Sequence, residues 1–229
     1  MPHAAVAASH PLLEWVRPPQ QARTRESLSR LLDTAETLIA DKGFDESSIV
    51  EIARQAGSSV GGFYRRFRDK DGLLHAIHER FCDEARATAD AALEPARWQD
   101  AALPELLREF TEFLVRIYRE RQGILRAFLV QGMSDAGVRQ RTDGLFDHLA
   151  SRLRALLRGR RAEIRHPDPA LAATFGLRVV LGALNNTVLI QPETLTLRDP
   201  RFPPELARVL AAYLGAAAPT HLTRRRPSR

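Results

Sequence analysis

Apolar residues return every third or fourth position over most of the chain, and no segment alternates with the two-residue period of a strand, so the pattern predicts an all-α fold. The first helix follows a capping side chain at Thr24, carries Leu28, Leu31, Leu32, Ala35, Leu38 and Ile39 on one face, and ends at Gly43. Ser48 and Glu51 have the spacing of a capping box for a second, short helix, with Ile49, Ile52, Ala53 and Ala56 inward and Gly57 as its stop. Ser58 or Ser59 caps a third helix, whose Val60, Phe63 and Phe67 are read as facing the core. Asp69 caps a fourth, which buries Leu73, Leu74, Ile77 and Phe81. A unit this small is near the lower limit of independent stability, so the fourth helix is expected to run on and couple it to the remainder of the chain.

From Trp98 onward the helical period continues, with helices expected at about 100–121, 122–131, 135–158, 168–190 and 203–216. In the 168–190 segment Leu171, Phe175, Leu177, Val179, Val180, Leu181, Leu184, Val188 and Leu189 go round most of the helix, which predicts burial on nearly every side. The last helix adds Leu206, Val209, Leu210, Tyr213 and Leu214. With Gly176, Gly182 and Ala183 allowing close approach, the two helices suit a four-helix contact with a symmetry mate, the alternative being an ordinary core within one chain. Residues 1–23, with Pro2, Pro11, Pro18 and Pro19, read as a flexible arm whose Arg17 and Arg23 have a minor groove as their functional alternative. Residues 24–84 form the first domain, 85–217 the second, and 218–229, with Arg224, Arg225, Arg226 and Arg229, a basic tail.

The third helix carries the candidate chemistry. With its apolar stripe turned inward, Ser59, Gly61, Gly62, Arg65 and Arg66 fall on or near its outer face, which has no acidic residue. Two glycines are a poor choice inside a helix, at roughly 1 kcal/mol each against alanine, and close approach of a duplex to the backbone is a reason to keep them. Tyr64 borders the stripe, so its ring packs while its hydroxyl points out toward a phosphate oxygen. Arg65 or Arg66 suits the O6 and N7 edge of guanine, and either suits phosphate; Arg65 is the preferred base reader. Lys70, at the start of the fourth helix, and Ser48, capping the second, are candidates for holding phosphate.

These residues resemble the TetR family of transcriptional regulators. The resemblance rests on Ala35 and Gly43-Phe44, on Ile52-Ala53 and Ala56-Gly57, and on Gly61-Gly62-Phe63-Tyr64-Arg65-Arg66-Phe67 followed by Asp69-Lys70 and Leu73-Leu74. It covers about residues 24–84; beyond Ala85 only the length and order of the helices agree. It implies an N-terminal three-helix helix-turn-helix DNA-binding head and a C-terminal helical domain for effector binding and dimerisation. It also implies a homodimer, usually a repressor, that binds a double-stranded DNA operator and is released by a small molecule. Val60 departs from the family pattern, where many members carry a polar or basic residue able to contact DNA.

Composition narrows the remaining classes. The net charge of +6 favours polyanionic partners without selecting DNA among them, since a basic surface is often just a solvated one. The single cysteine, Cys82, excludes an internal disulfide framework and any repeated Cys/His spacing for structural zinc. No run is read as reaching the roughly 20 apolar residues of a membrane span, so the expectation is a cytoplasmic protein with no membrane partner. His75, His78 and Cys82 share helical spacing but read as packed side chains rather than metal ligands. No local motif supplies a nucleophile with its base, a carboxylate pair or a phosphate loop, and neither enzyme activity nor a cofactor is expected. For an apolar or aromatic effector, the candidate lining is Phe110, Phe113, Ile117, Phe128, Met133, Phe146, Phe175 and Asn185. The competing reading is a helical ligand-binding or protein-interaction module without a working DNA head.

Overall fold

The computed structural model of the chain describes residues 22–216 and divides into two compact units, one ending at Cys82 and the other beginning at Asp83. The arm with Arg17, the side chain of Arg23, and the tail with Arg224, Arg225, Arg226 and Arg229 lie outside the described residues. Nine α-helices and two short 3-10 turns make up the described secondary structure, and no strand occurs among these residues.

The first unit is built from α1 (Ala22–Lys42), α2 (Ile49–Gln55), α3 (Val60–Tyr64) and the first half of α4 (Lys70–Ala92). The chain is already helical at Ala22, so Thr24 lies inside the first turn and is not its cap. Leu31, Ala35, Ile39, Ile52, Ala53, Phe63, Phe67, Leu73, Leu74 and Ile77 are all buried and form the core of this unit. Helices as short as α2 and α3 do not persist alone in water, so packing around Phe63 and Phe67 holds them. The Ser48 hydroxyl accepts from the Glu51 N–H at 3.2 Å, but the capping box is only half made. The Glu51 carboxylate turns to the Lys42 ammonium, 2.6 Å from each oxygen, and ties the end of α1 to α2.

The second unit contains α5 (Leu103–Glu120), α6 (Gln122–Ser134), α7 (Ala136–Arg158), α8 (Pro169–Ile190) and α9 (Phe202–Leu214). The second half of α4 belongs to it by sequence, and Asp90 there accepts from Arg152 Nε at 2.5 Å and lies 2.7 Å from His148 Nε2, both on α7. Helix α8 is central and touches α5, α6, α7 and α9. By length and composition it could cross a membrane, contrary to the sequence expectation that no run does so. Its Ala172, Ala173, Leu177, Val180, Leu184 and Val188 are nevertheless buried in the bundle core, and Arg178 stacks over the Phe146 ring of α7 at 4.4 Å. Burial does not go all the way round: Leu171, Phe175, Val179 and Ile190 are exposed, as are Val209 and Tyr213 of α9. Of the small residues on α8, Gly176 serves the chain itself, because a Cβ there would come to 2.5 Å from Leu210 Cδ1. Gly182 meets nothing within 4 Å.

Candidate DNA-binding surface

Helix α2 ends in a Schellman motif. Gly57 is left-handed at φ 64°, Ser58 N–H donates to Ala53 O at 2.8 Å, and Gly57 N–H donates to Arg54 O at 3.2 Å. The turn satisfies the last carbonyls of α2 and delivers Ser59 at once as the cap of α3, where its hydroxyl accepts from the Gly62 N–H at 2.9 Å. Helical hydrogen bonding continues past α3, with Arg65 N–H on Gly61 O and Phe67 N–H on Phe63 O. At 100° per residue the buried arc then holds Gly62, Phe63 and Phe67, and the exposed arc holds Val60, Gly61, Tyr64 and Arg65.

Three expectations change on this helix. Val60, read as a core residue, is 39% exposed, because it sits at the edge of the buried arc where a helix this short offers nothing to cover it. Gly62, read as facing a duplex, is buried; a Cβ there would stand 2.6 Å from Ser58 Oγ and 3.2 Å from Ser59 Oγ, so a side chain at this position has to displace the two serine hydroxyls. Gly61 is different, since a Cβ would meet only Ser59 Oγ at 4.0 Å. Arg66 does not project outward: its guanidinium donates back to Gly62 O at 2.9 Å and its Nε is buried with no hydrogen-bond partner, which makes it a brace for α3.

Lys70 is also redirected. Its ammonium donates to Phe44 O at 2.8 Å and Asp45 O at 3.2 Å and lies 4.4 Å from the centre of the Phe44 ring. That cation ties down the α1–α2 loop, a role that the sequence reading of a phosphate contact did not include. Asp69 caps α4 as expected, accepting from the Gly72 N–H at 2.7 Å, and this bond holds its carboxyl below the usual carboxylate range. The remaining side chains expected on the outer face, Ser48, Ser59, Tyr64 and Arg65, are exposed. The Tyr64 ring meets Phe63 edge-on at 5.4 Å, so the packed base carries an outward hydroxyl.

The two glycines therefore separate by experiment. Gly61→Ala is expected to leave melting unchanged or raise stability by up to about 1 kcal/mol while weakening DNA binding. Gly62→Ala is expected to be less stable than Gly61→Ala by about 1 kcal/mol, because its Cβ pushes on the Ser58 hydroxyl and on the Ser59 cap. Thermal melts and binding titrations of both variants check this, and equal behaviour of the two would reject the division.

In the second unit the effector candidates scatter. Met133 is 67% exposed and Phe175 faces out beside Tyr213, so neither lines an interior site in the single chain. Phe110 and Phe128 are buried, Phe110 within the main core, whereas Phe113, Ile117, Phe146 and Asn185 are half-buried. Asn185 Oδ1 accepts from the Tyr118 hydroxyl at 2.7 Å, a polar link between α8 and α5. Burial pushes the Tyr118 phenol well above its ordinary range, which keeps it a neutral donor. Tyr118 escaped the sequence reading because a tyrosine in an amphipathic helix looks like ordinary packing. His75, His78 and Cys82 are buried in the first unit, with Cys82 Sγ 3.5 Å from His78 Nε2.

The sequence comparisons follow the same two-part division. The description "Bacterial regulatory proteins, tetR family" matches residues 31–77, and "Tetracyclin repressor-like, C-terminal domain" matches residues 102–214. The HTH-type transcriptional regulator BetI of Cronobacter sakazakii is 36% identical over 66 residues, 29% of this chain and 33% of that protein. The chain thus spans about a third of the length of this curated relative. The HTH-type transcriptional regulator YfiR of Bacillus subtilis is 25% identical over 169 residues, 72% of this chain and 82% of its own length. Among solved structures, the transcriptional regulator FadR of Bacillus subtilis, in complex with stearoyl-CoA, superposes with a TM-score of 0.60 at 16% identity, over 83% of this chain and 99% of that one. The cap-turn-cap unit at Ser48–Gly62, the helical bundle after it, and two domain matches that together cover more than two thirds of the sequence agree: the chain belongs to the tetR family of bacterial regulatory proteins.

Proposed function

We propose that this chain is a cytoplasmic, homodimeric transcriptional regulator without enzymatic activity, a repressor that a small molecule releases from its operator. Residues 24–84 form the reading head and 85–217 the effector and dimerisation domain. The observation that carries this reading is the outer face of α3, where Gly61, Tyr64 and Arg65 stand exposed behind the Ser59 cap with no acidic residue among them. Such a helix, stopped and restarted by a tight turn, enters a major groove with its first residues on the base edges. Arg65 then reads a guanine, while Ser48, Ser59 and Tyr64 hold phosphate and fix register.

Two further features support the rest of the proposal. The exposed apolar stripe of α8 and α9 is suited to a second copy of the chain, which sets two heads about one helical turn of DNA apart or a multiple of it. The half-buried group of Phe113, Ile117, Phe146 and Asn185, with Tyr118 as a neutral donor, suits an apolar or aromatic effector bearing one polar group. Release requires that the effector bind the DNA-incompetent state more tightly, since equal affinity for both states shifts nothing.

Selection of genomic fragments by the purified protein tests the reading. One enriched operator sequence is expected, with Tyr64→Phe weakening binding to all sequences alike. Arg65→Ala is expected to cost about 1–3 kcal/mol and to relax the preference at one position. Recovery of random fragments only, with ligand binding intact, would instead favour a helical binding module without a working head.

A further inference from the structure

We infer that Val60 is a specificity-determining residue that reads the C5-methyl group of a thymine in each half-site, with Gly61 beside it opening the approach. The inference rests on the DNA-reading role proposed for α3 and gives an apolar reading role to a residue at which this chain departs from the family pattern.

Val60 is the first residue of α3, directly after the Ser59 cap, and it keeps an exposed edge beside the buried arc. Nothing in local structure favours valine there. A β-branched residue loses rotamer freedom in a helix, the residue is 39% exposed and so only partly compensated by burial, and the cap bond is made by Ser59. Four residues on, Tyr64 is also exposed and neighbours Val60 on the arc, with Gly61 next round and Arg65 at the far edge. The polar members of this face suit phosphates and base edges that donate or accept hydrogen bonds. An isopropyl group suits none of these.

In the major groove the base edges present donors and acceptors at every pair, and the one apolar group among them is the thymine methyl. An exposed valine at the start of a recognition helix therefore discriminates by apolar contact, favouring thymine and leaving the polar groups of other bases desolvated without a partner. Gly61 supplies an independent observation. Its Cβ position is open, its backbone is not left-handed, and the fold gives no steric reason for a residue that weakens the helix. Under the DNA reading, the bare backbone at Gly61 leaves room for a duplex to come close. A duplex near enough to forbid a Cβ at Gly61 is near enough to touch the adjoining isopropyl group.

The test uses the full-length protein and the operator fragment recovered by genomic selection. Each thymine of a half-site is replaced in turn by deoxyuridine, which removes the methyl and leaves every hydrogen-bonding group in place. One position is expected to weaken wild-type binding about fourfold per half-site, the ratio for uncovering one methylene-sized group. Val60→Ala, whose folding is checked by its melting curve, is expected to bind thymine and deoxyuridine operators alike, and Val60→Thr, which keeps one methyl, to retain part of the difference. Equal deoxyuridine effects in wild type and Val60→Ala, or a half-site with no sensitive thymine, overturn the role of Val60 while operator recognition stands. Failure to enrich any fragment overturns the DNA reading itself, and this inference with it.

Discussion

Replacing Phe175 with aspartate is expected to leave each subunit folded, to convert the dimer to monomers, and to lower operator affinity by about 100-fold or more, the scale on which linked binding sites act together. Phe175 is already exposed in the single chain, so the substitution removes nothing from the subunit core. It lies with Leu171 and Val179 at four-residue spacing along α8, and its ring is 5.4 Å from that of Tyr213 on α9, beside Val209. A contiguous apolar surface of this kind is uncommon on a monomer and ordinary at an isologous contact. Two-fold symmetry sets the introduced carboxylate on both sides of that contact, where each charge loses water and gains no partner. Sedimentation equilibrium reports the mass and operator titration the affinity. Persistence of the dimer with unchanged operator affinity would move the interface elsewhere.

The sequence made the helices legible because each repeats its own pattern and announces its ends. Ser48, Ser59 and Asp69 cap as their spacing requires, and α8 spans Pro169–Ile190 against an expected 168–190. What periodicity could not supply was phase in a helix of five residues: Val60 lies at the border of the buried arc, and only the neighbouring elements decide which side it takes. Long-range polar contacts were equally invisible. Lys70 meets carbonyls 25 and 26 residues earlier in the chain, and no local rule links those positions. The adjacent glycines looked alike in sequence and differ because the two serine hydroxyls stand against one of them. On α8 the error has another source. The exposed stripe of Leu171, Phe175 and Val179 is as apolar as the buried face, so composition alone does not separate a side that packs in this core from one that does not.

Phe63→Ala is expected to abolish operator binding by unfolding the head while the second unit keeps its helices and its dimeric mass. Phe63 is fully buried, with the Phe67 ring 5.3 Å away and the Tyr64 ring 5.4 Å away, and it sits in a helix too short to hold itself. Truncation of such a side chain costs about 3–5 kcal/mol. Whole domains have only about 5–15 kcal/mol to lose, and a head of this size stands at the low end. The bundle core, with Leu106, Leu107, Leu153, Leu177 and Leu210, contains none of the head residues and does not share the loss. Circular dichroism is therefore expected to show part of the helical signal melting early and the rest near the wild-type temperature, with amide exchange accelerated at Ile52, Phe67 and Leu74. A single unshifted melting transition would show instead that Phe63 is not what holds α2 and α3 in place. The contrast with Arg65→Ala separates loss of reading from loss of fold. Arg65 is exposed, so its loss is expected to remove base preference from a head that remains folded. Phe63 is buried, and its loss is expected to remove the surface on which Arg65, Tyr64 and Val60 are mounted.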